Sequence, residues 1–385
     1  MRSHLMAMTV ALAASPPLAH AAQTNAPAAD RTPLNVTEVA SGLENPWSMQ
    51  VPPDGRILVT ERPGRLRIIT ADGQISEPIK GLPELVANRQ GGLLDILLAS
   101  DFATTGTVYF SYSEPRGSQS NGTSVMRATL KLSGSSGTLE DGKVIFRQQP
   151  AAGGFHHFGS RLVFDKTGAL FVTTGERNTL RDSAQDVSTH IGKVIRILPD
   201  GSAPKDNPFV GKTDAAPEVW SYGHRNLQGA ALDPATGKLW TTEHGPQGGD
   251  ELNQPQAGKN YGWPIITHGI DYSGAPIGDG ISEKAGLEQP VYYWKPSIGT
   301  SGLAFYTGDL FPAWKGNLLA GGLKTNVLER LVLKDEQVIA VEPLLTDLGQ
   351  RIRDVRVAAD GSVLVLTDAT NGKVLRLTPR SGASP

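Results

Sequence analysis

The sequence predicts an all-β fold, a six-bladed β-propeller with four-stranded antiparallel blades. Two observations lead to this prediction. One strand-turn-strand plan recurs six times, and almost no segment has the periodicity of an amphipathic helix. Successive repeats begin roughly 45 to 75 residues apart, which suits blades joined by loops of different lengths. The repeats are residues 48–60, 93–112, 162–173, 229–242, 302–321 and 355–366.

Each repeat begins with alternating apolar residues, turns at Asp or Gly, and continues as a strand rich in Val, Leu, Phe and Thr. The turns of the first and last repeats are Asp54-Gly55 and Asp360-Gly361, residue types that favour tight turns. Further strands follow at residues 64–69 and 372–377, so a blade has more than two strands. Two β-sandwich domains are the competing architecture, but they do not explain six copies of one unit.

The chain divides into three predicted parts. Residues 1–21 have a basic start, a short apolar run and an Ala-x-Ala ending, which predicts a cleaved signal peptide and a periplasmic or secreted protein. Residues 22–33 are predicted to be a flexible leader, and residues 34–380 the propeller domain. No apolar run reaches the roughly 20 residues of a membrane-spanning helix, so we expect no membrane insertion.

Composition excludes several function classes. The chain has no cysteine, so it has no disulfides and no metal-binding thiolates. Its formal net charge of −2 argues against nucleic acid as a partner, because that would require a concentrated basic surface. Nothing in the sequence distinguishes a monomer from a homodimer.

A propeller brings the loops between its strands together at one end of the central axis, so residues far apart in sequence meet there. Seven connections carry polar or charged groups that do not suit a blade interior. We therefore expect a single site built from all of them. These connections are residues 88–94, 153–161, 222–229, 243–272, 294–302, 324–326 and 350–354.

Residues 243–253 are the richest of these loops. They place Glu243, Asp250 and Glu251 beside a Gly-Pro and a Gly-Gly, and such turns leave backbone carbonyls pointing outward. Carboxylate and carbonyl oxygens are the ligands that Ca²⁺ takes. A calcium loop is the hypothesis, and an acidic, glycine-rich surface turn is the alternative.

At these loops the sequence resembles the soluble quinoprotein sugar dehydrogenases, a family that uses pyrroloquinoline quinone (PQQ) and calcium. The compact loops are more similar to its broad-specificity aldose branch than to the glucose enzymes. The matching runs lie in the expected order along the chain. They are residues 90–95, 156–162, 221–229, 243–253, 259–264, 322–324 and 351–355.

The resemblance implies a cofactor site. PQQ is a flat quinone with three carboxylates, so its site needs several cations, and Arg suits carboxylates because its planar fork binds them in a bidentate manner. Alternation along a strand would direct Arg351 and Arg353 to one face. The implied cofactor contacts are Gln90, Arg225, Asn226, Lys324, Arg351 and Arg353.

The resemblance also implies catalytic and substrate residues. His157 is the expected general base, because oxidation of a sugar at C1 removes the hydroxyl proton while a hydride leaves. Glu176 is expected to orient His157, and Arg225 to stabilise negative charge on the quinone. Trp294 is expected to contact the sugar. The glucose enzymes have Asp at the positions of His156 and Glu176, so this chain departs from them at both.

For calcium, the resemblance implies two ions. Carbonyls of Gly245 and Pro246 are expected to hold the ion that bridges to PQQ, and Glu251 and Tyr261 a separate structural ion. The predicted partners are aldose sugars and an unidentified electron acceptor. Two other functions stay open: a calcium-dependent lactonase or esterase, and a non-catalytic binding propeller.

Overall fold

The computed structural model describes residues 22–380 and has six antiparallel β-sheets. The first strand of each sheet contacts the first strand of the next, and the last sheet contacts the first, so the six sheets close into a ring. This confirms the predicted six-bladed propeller. The predicted signal peptide, residues 1–21, lies outside the described residues.

The blades follow one another along the chain, and each predicted repeat forms the first two strands of one blade. The strands of the first three blades are β2 (Pro46–Gln50), β3 (Ile57–Glu61), β4 (Arg65–Ile69); β5 (Leu93–Leu98), β6 (Thr107–Pro115), β7 (Asn121–Ser133), β8 (Ser136–Arg147); and β9 (Gly159–Phe164), β10 (Leu170–Thr174), β11 (Lys193–Ile197), β12 (Val219–Tyr222). Those of the last three are β13 (Leu227–Leu232), β14 (Leu239–Glu243), β15 (Asp250–Asn253), β16 (Tyr292–Trp294); β17 (Thr300–Phe305), β18 (Leu318–Gly322), β19 (Leu328–Lys334), β20 (Gln337–Leu344); and β21 (Ile352–Val357), β22 (Val363–Thr367), β23 (Gly372–Pro379), β1 (Leu34–Leu43).

Helix is scarce in the described part of the chain, as the sequence predicts. It consists of one α-helical turn, α1 (Phe102–Thr105), and two 3₁₀ turns, Arg181–Gln185 and Pro312–Trp314. Within residues 22–380, no helix is long and apolar enough to span a bilayer.

Two blades depart from a simple four-stranded repeat. The first has three regular strands, and a single bridge between Ile69 and Ile75 stands in place of a fourth. The last takes its outer strand from the other end of the chain, because β1 pairs antiparallel with β23. The ring is therefore closed by main-chain hydrogen bonds between the two ends of the domain.

Residues 22–33, predicted to be a flexible leader, lie instead against two blades. Tyr293 donates a backbone hydrogen bond to Gln23 at 2.8 Å, and Ala29 donates one to Val341 at 2.9 Å. Strands β16 and β20 are the outermost of their blades, so their edges have unpaired backbone groups. The leader satisfies some of these groups, which sequence periodicity does not reveal.

The hydrophobic core lies between adjacent blades, whereas the propeller axis is polar. Arg161, on an inner strand, is 3.2 Å from Asp95 and 3.1 Å from Asp354, and all three are almost completely buried. The inner strands approach closely: a Cβ on Gly229 would lie 2.3 Å from the carbonyl oxygen of Ser301. This packed axis forms a rigid support for the loops above it.

Candidate active site

Six of the seven predicted loops line a cavity of about 290 Å³, and the loop of residues 153–161 does not. Its walls come from five of the six blades and from the connections before them, so the expected convergence of loops is observed. Six predicted residues line it: Gln90, Gly245, Pro246, Lys324, Arg351 and Arg353.

One wall of the cavity is an arginine pair. Arg353 is buried, and its guanidinium donates to Asp368 at 2.7 Å and to the Gln228 side chain at 2.9 Å. Arg351 is half-exposed and donates to the same Asp368 carboxylate at 3.2 Å. The two arginines therefore share one face, as strand alternation predicts.

Asp368 is surrounded by positive charge. Burial would raise the pKa of Asp368, but the charge and hydrogen bond of Arg353, with further charge from Arg62 and Arg351, hold that pKa well below its usual range. One carboxylate thus faces three guanidiniums. The cavity retains an excess of positive charge that suits an anionic ligand.

Arg62 lines the cavity but is absent from the sequence prediction. Its backbone is held by a hydrogen bond to the carbonyl of Asn45 at 3.0 Å. Gly92 packs directly against it, because a Cβ there would lie 1.9 Å from the Arg62 carbonyl oxygen. Arg62 makes no ion pair with any described residue. The sequence signal was weak, since Arg62 occurs in an ordinary turn after β3.

His157 lies beside Gln90, just behind the cavity lining. Its backbone N–H donates to the Gln90 side chain at 2.8 Å, and its ring Nδ1 is 2.7 Å from Glu176. A carboxylate at Nδ1 retains the proton there, so Nε2 is the basic nitrogen. His157 has a positive φ of 52°, a rare conformation for a side chain of this size. The structure therefore joins the predicted base to its predicted orienting carboxylate.

The surroundings of His157 favour the neutral imidazole. Burial lowers the pKa of His157 below its ordinary value, the hydrogen bond to the Glu176 carboxylate raises it, and the nearby charge of Arg225 lowers it further. A neutral ring with a carboxylate at Nδ1 is able to accept a proton near neutral pH.

Arg225 and Asn226 lie next to this pair. Arg225 donates to the Gly245 carbonyl at 2.8 Å and stacks on Trp263 with its Cζ 5.2 Å from the ring centroid. The Asn226 side chain accepts from the Gly159 backbone at 3.1 Å, while its buried Nδ2 has no partner among the described residues. Arg225 thus links the base to the loop predicted to bind calcium.

That loop, residues 243–250, is tightly wound. The Gly245 N–H donates to Asp250 at 2.9 Å, and the second oxygen of Asp250 accepts from the Gly299 and Thr300 backbones at 2.6 and 3.1 Å. Position 245 has no room for a side chain, because a Cβ there would lie 2.2 Å from the Gly249 carbonyl oxygen. Asp250 therefore holds the loop in the shape that brings Gly245 and Pro246 to the cavity.

The other predicted calcium ligands lie behind this loop. Glu251 and Tyr261 line a small second cavity together with Glu243. Loss of hydration raises the pKa of Glu251 well above its usual value, and the Glu243 carboxylate adds to the rise. Two acidic side chains placed so close together, joined by Asn253, form a site that a cation would stabilise.

The donor set restricts how a metal could bind. Residues 22–380 contain no cluster of three or more His, Asp or Glu side chains arranged to hold an ion. A cation at either place would need backbone carbonyls and oxygens from water or a ligand, which is compatible with Ca²⁺.

Trp294 occupies a different place from the one predicted. It is 5% exposed, packs in the core between the fourth and fifth blades with its ring 5.2 Å from that of Tyr292, and donates from its indole to Glu329 at 2.7 Å. It does not line the cavity. The structure places Trp294 in the blade interior and not among the residues that line the cavity, so the expected contact with the sugar stays a prediction that this geometry does not support.

The aromatic side chain that does line the cavity is Tyr272, which the sequence prediction omitted. Gln228 and Asp368, which position Arg353, were omitted as well. A Gln in a strand and an Asp after a strand are too frequent to serve as sequence signals. Only their shared contact with Arg353 identifies them.

Fold and site together define a class: six-bladed propellers with a histidine-carboxylate pair beside a cationic cavity. The family model described as Glucose / Sorbosone dehydrogenase matches residues 43–376, and the chain belongs to this family. It is 45% identical over 350 residues to the aldose sugar dehydrogenase YliI of Escherichia coli, covering 90% of this chain and 94% of that protein.

Solved structures show the same likeness. A crystal structure of a glucose dehydrogenase matches with a TM-score of 0.86 and 48% identity over 91% of this chain and all of that one. The PQQ-bound form of an aldose sugar dehydrogenase from Streptomyces coelicolor matches with a TM-score of 0.74 and 28% identity, again over 91% of this chain and all of that one.

Proposed function

We propose that this protein is a PQQ- and Ca²⁺-dependent aldose dehydrogenase that oxidises sugars at C1 to lactones. The observation that carries the proposal is the hydrogen-bonded pair of His157 and Glu176 beside a cavity lined by four cationic side chains. A base alone would serve many reactions. A base next to an anion-binding cavity suits a cofactor with several carboxylates.

The cavity fits PQQ in charge. Four cations line it, Arg62, Lys324, Arg351 and Arg353, and Asp368 is already shared by the arginine pair. Three carboxylates on a flat ligand would find partners among them, with Arg353 supplying a planar fork. The amide of Gln90 and the unpaired Nδ2 of Asn226 offer further contacts.

Calcium would be held first by the carbonyls of Gly245 and Pro246. The Gly245 carbonyl already accepts from Arg225, and its second lone pair is available to an ion. Glu251 and the Tyr261 carbonyl would hold the structural ion. Bound PQQ would supply a two-electron acceptor for the hydride from C1.

His157 would remove the proton from the C1 hydroxyl through Nε2. Glu176 would then face an imidazolium at 2.7 Å and stabilise it. Arg225, close enough to influence the His157 pKa, would place positive charge near the reacting centre. An external electron acceptor of unknown identity would complete the cycle.

Two further aspects belong to this proposal. The signal peptide predicted at residues 1–21 supports a periplasmic or secreted location. The connections 295–299 and 323–327, which line part of the cavity, are short, so we expect the cavity to accept several aldoses.

The test is reconstitution of the purified protein with PQQ and Ca²⁺, followed by addition of an aldose. The expected result is a bound-quinone absorbance that bleaches with the sugar and returns with an artificial acceptor. Hydrolysis of esters or lactones without any bleaching would favour the hydrolase reading. Neither activity, with sugar bound, would favour a binding propeller.

A further inference from the structure

The mouth of the cavity carries one exposed aromatic ring. Tyr272 is 73% exposed, yet it lines the cavity, whereas the other exposed large apolar side chains among the described residues do not. Isolated exposed apolar residues are common on protein surfaces. An exposed ring at the opening of a cationic cavity is different, because it presents an apolar face to any ligand that enters.

The position of Tyr272 is determined by the backbone around it. It sits in a tight turn in which the Asp271 side chain accepts from the Ser273 backbone at 3.0 Å, and Gly274 donates to the Asp271 carbonyl at 2.8 Å. Gly274 has a φ of +87°, a conformation that favours glycine.

This turn is attached to the predicted calcium loop. Gln247 and Ile270 exchange two backbone hydrogen bonds, of 2.9 and 3.1 Å, two residues before the ring. Tyr272 is thereby held relative to Gly245 and Pro246, which line the same cavity. Such a paired arrangement reduces the entropy that a mobile loop would lose on binding a ligand.

We propose that Tyr272 forms the outer wall of the sugar subsite and packs against the apolar face of a pyranose ring. The inference rests on the proposed function, because the cations of the cavity are assigned there to the cofactor. A ligand lying above that cofactor, between it and solvent, would meet the ring of Tyr272. A pyranose has a face of C–H groups and a rim of hydroxyls, so it suits an aromatic surface at a wet opening.

Chemical modification tests the placement without an activity measurement. Tyr272 is far more exposed than the other seven tyrosines of the chain, which are buried or half-buried. Tetranitromethane should therefore nitrate it first. Mass spectrometry of the holoprotein should show several-fold slower nitration of Tyr272 with an aldose than with glycerol at equal concentration. Equal rates would overturn the proposal, and full protection by PQQ alone would assign the ring to the cofactor instead.

Kinetics of the holoenzyme provides the second measurement. Tyr272→Ala should raise KM for aldohexoses about five- to tenfold and leave PQQ affinity unchanged, and Tyr272→Phe should restore KM. Ile270→Ala is the matched control, since that side chain is exposed in the same loop but does not line the cavity. A KM for Tyr272→Ala within twofold of the parent would overturn the proposal.

The two proposals fail in different ways. Protection of Tyr272 by sugar in a protein that oxidises no aldose would retain the subsite and reject the dehydrogenase. Aldose oxidation without protection and without a KM effect would retain the dehydrogenase and reject this role for Tyr272.

Discussion

At the scale of single residues, the proposed proton removal would depend on the His157–Glu176 hydrogen bond. His157→Ala should reduce turnover roughly 10²- to 10⁴-fold, as loss of a general base does, with PQQ and Ca²⁺ still bound. Single-turnover bleaching of bound quinone measures this step. His156→Ala is the control at the adjacent residue and should reduce turnover far less. Near-normal bleaching by the His157 variant with cofactor bound would exclude it as the base.

The environment of His157 also predicts a pH dependence. Burial lowers the pKa of His157, so the neutral ring persists on acidification until the pH falls through that lowered value. The acid limb of kcat/KM should therefore lie below about 6.5, the ordinary pKa of histidine. Glu176→Gln removes an interaction that raises the pKa, so its acid limb should move to lower pH. A shift in the opposite direction would contradict this electrostatic account.

The different exposure of Arg351 and Arg353 predicts that the two arginines contribute unequally to cofactor binding. Arg353→Ala removes a buried charge from beside the cavity and should weaken PQQ binding by about 2–5 kcal/mol, the scale for a desolvated charge pair. Arg351→Ala should weaken PQQ binding less, because Arg351 is half-exposed and its charge is screened by water. Titration of apoprotein variants with PQQ compares them, and Lys324→Ala completes the set. Equal, unchanged affinities would remove all three from the site.

At the scale of elements, β1 closes the ring by pairing with β23. Leu43 at its end is fully buried in the cluster between the first and last blades, so Leu43→Ala should lower the free energy of unfolding by about 2–5 kcal/mol. Val36→Ala on the same strand is the control, because Val36 is 44% exposed and should change stability by no more than about 0.5 kcal/mol. Urea unfolding measures both. Equal effects would mean that β1 contributes through its backbone alone.

Hydrogen bonds between loops also explain why loop residues meet at the site. Loops 88–92 and 153–159 are joined where Gln90 donates to the Phe155 carbonyl at 3.1 Å and accepts from His157. Each segment leads directly into the inner strand of its blade, β5 or β9. The site therefore needs little ordering before a ligand binds.

At the scale of the whole molecule, the open cavity predicts broad specificity. Strong discrimination between sugars requires site groups that the wrong substrate leaves unpaired. We expect pentoses, hexoses and disaccharides to be oxidised with catalytic efficiencies within about two orders of magnitude of one another. A panel of aldoses assayed with holoenzyme and an artificial acceptor measures this. Preference for one sugar far beyond that margin would show that the pocket selects more strongly than its lining indicates.

Much of the fold was predictable because the structure of each blade depends on residues that are close together in sequence. A period of two along each strand and Asp or Gly at each turn depend on neighbours in sequence, and all six repeats fall on the first two strands of the six blades. The loop motifs at Gln90, His157, Arg225 and Lys324 were recognised through the resemblance to the quinoprotein sugar dehydrogenases. Each is a short run of consecutive residues, so the resemblance is visible without the tertiary structure.

Other features depended on tertiary contacts. Alternation predicts that Tyr292 and Trp294 lie on one side of β16. It does not predict which side faces the core, since a shift of one residue exchanges the two faces. The pairing of residues 22–33 with the outer strands, and the meeting of Arg62 and Tyr272 at one cavity, join segments far apart in the chain. The sequence by itself determined the repeats, their turns and the chemistry of the loops, because these are local. Only the closed ring decided which side chains share the cavity, because closure brings distant segments together.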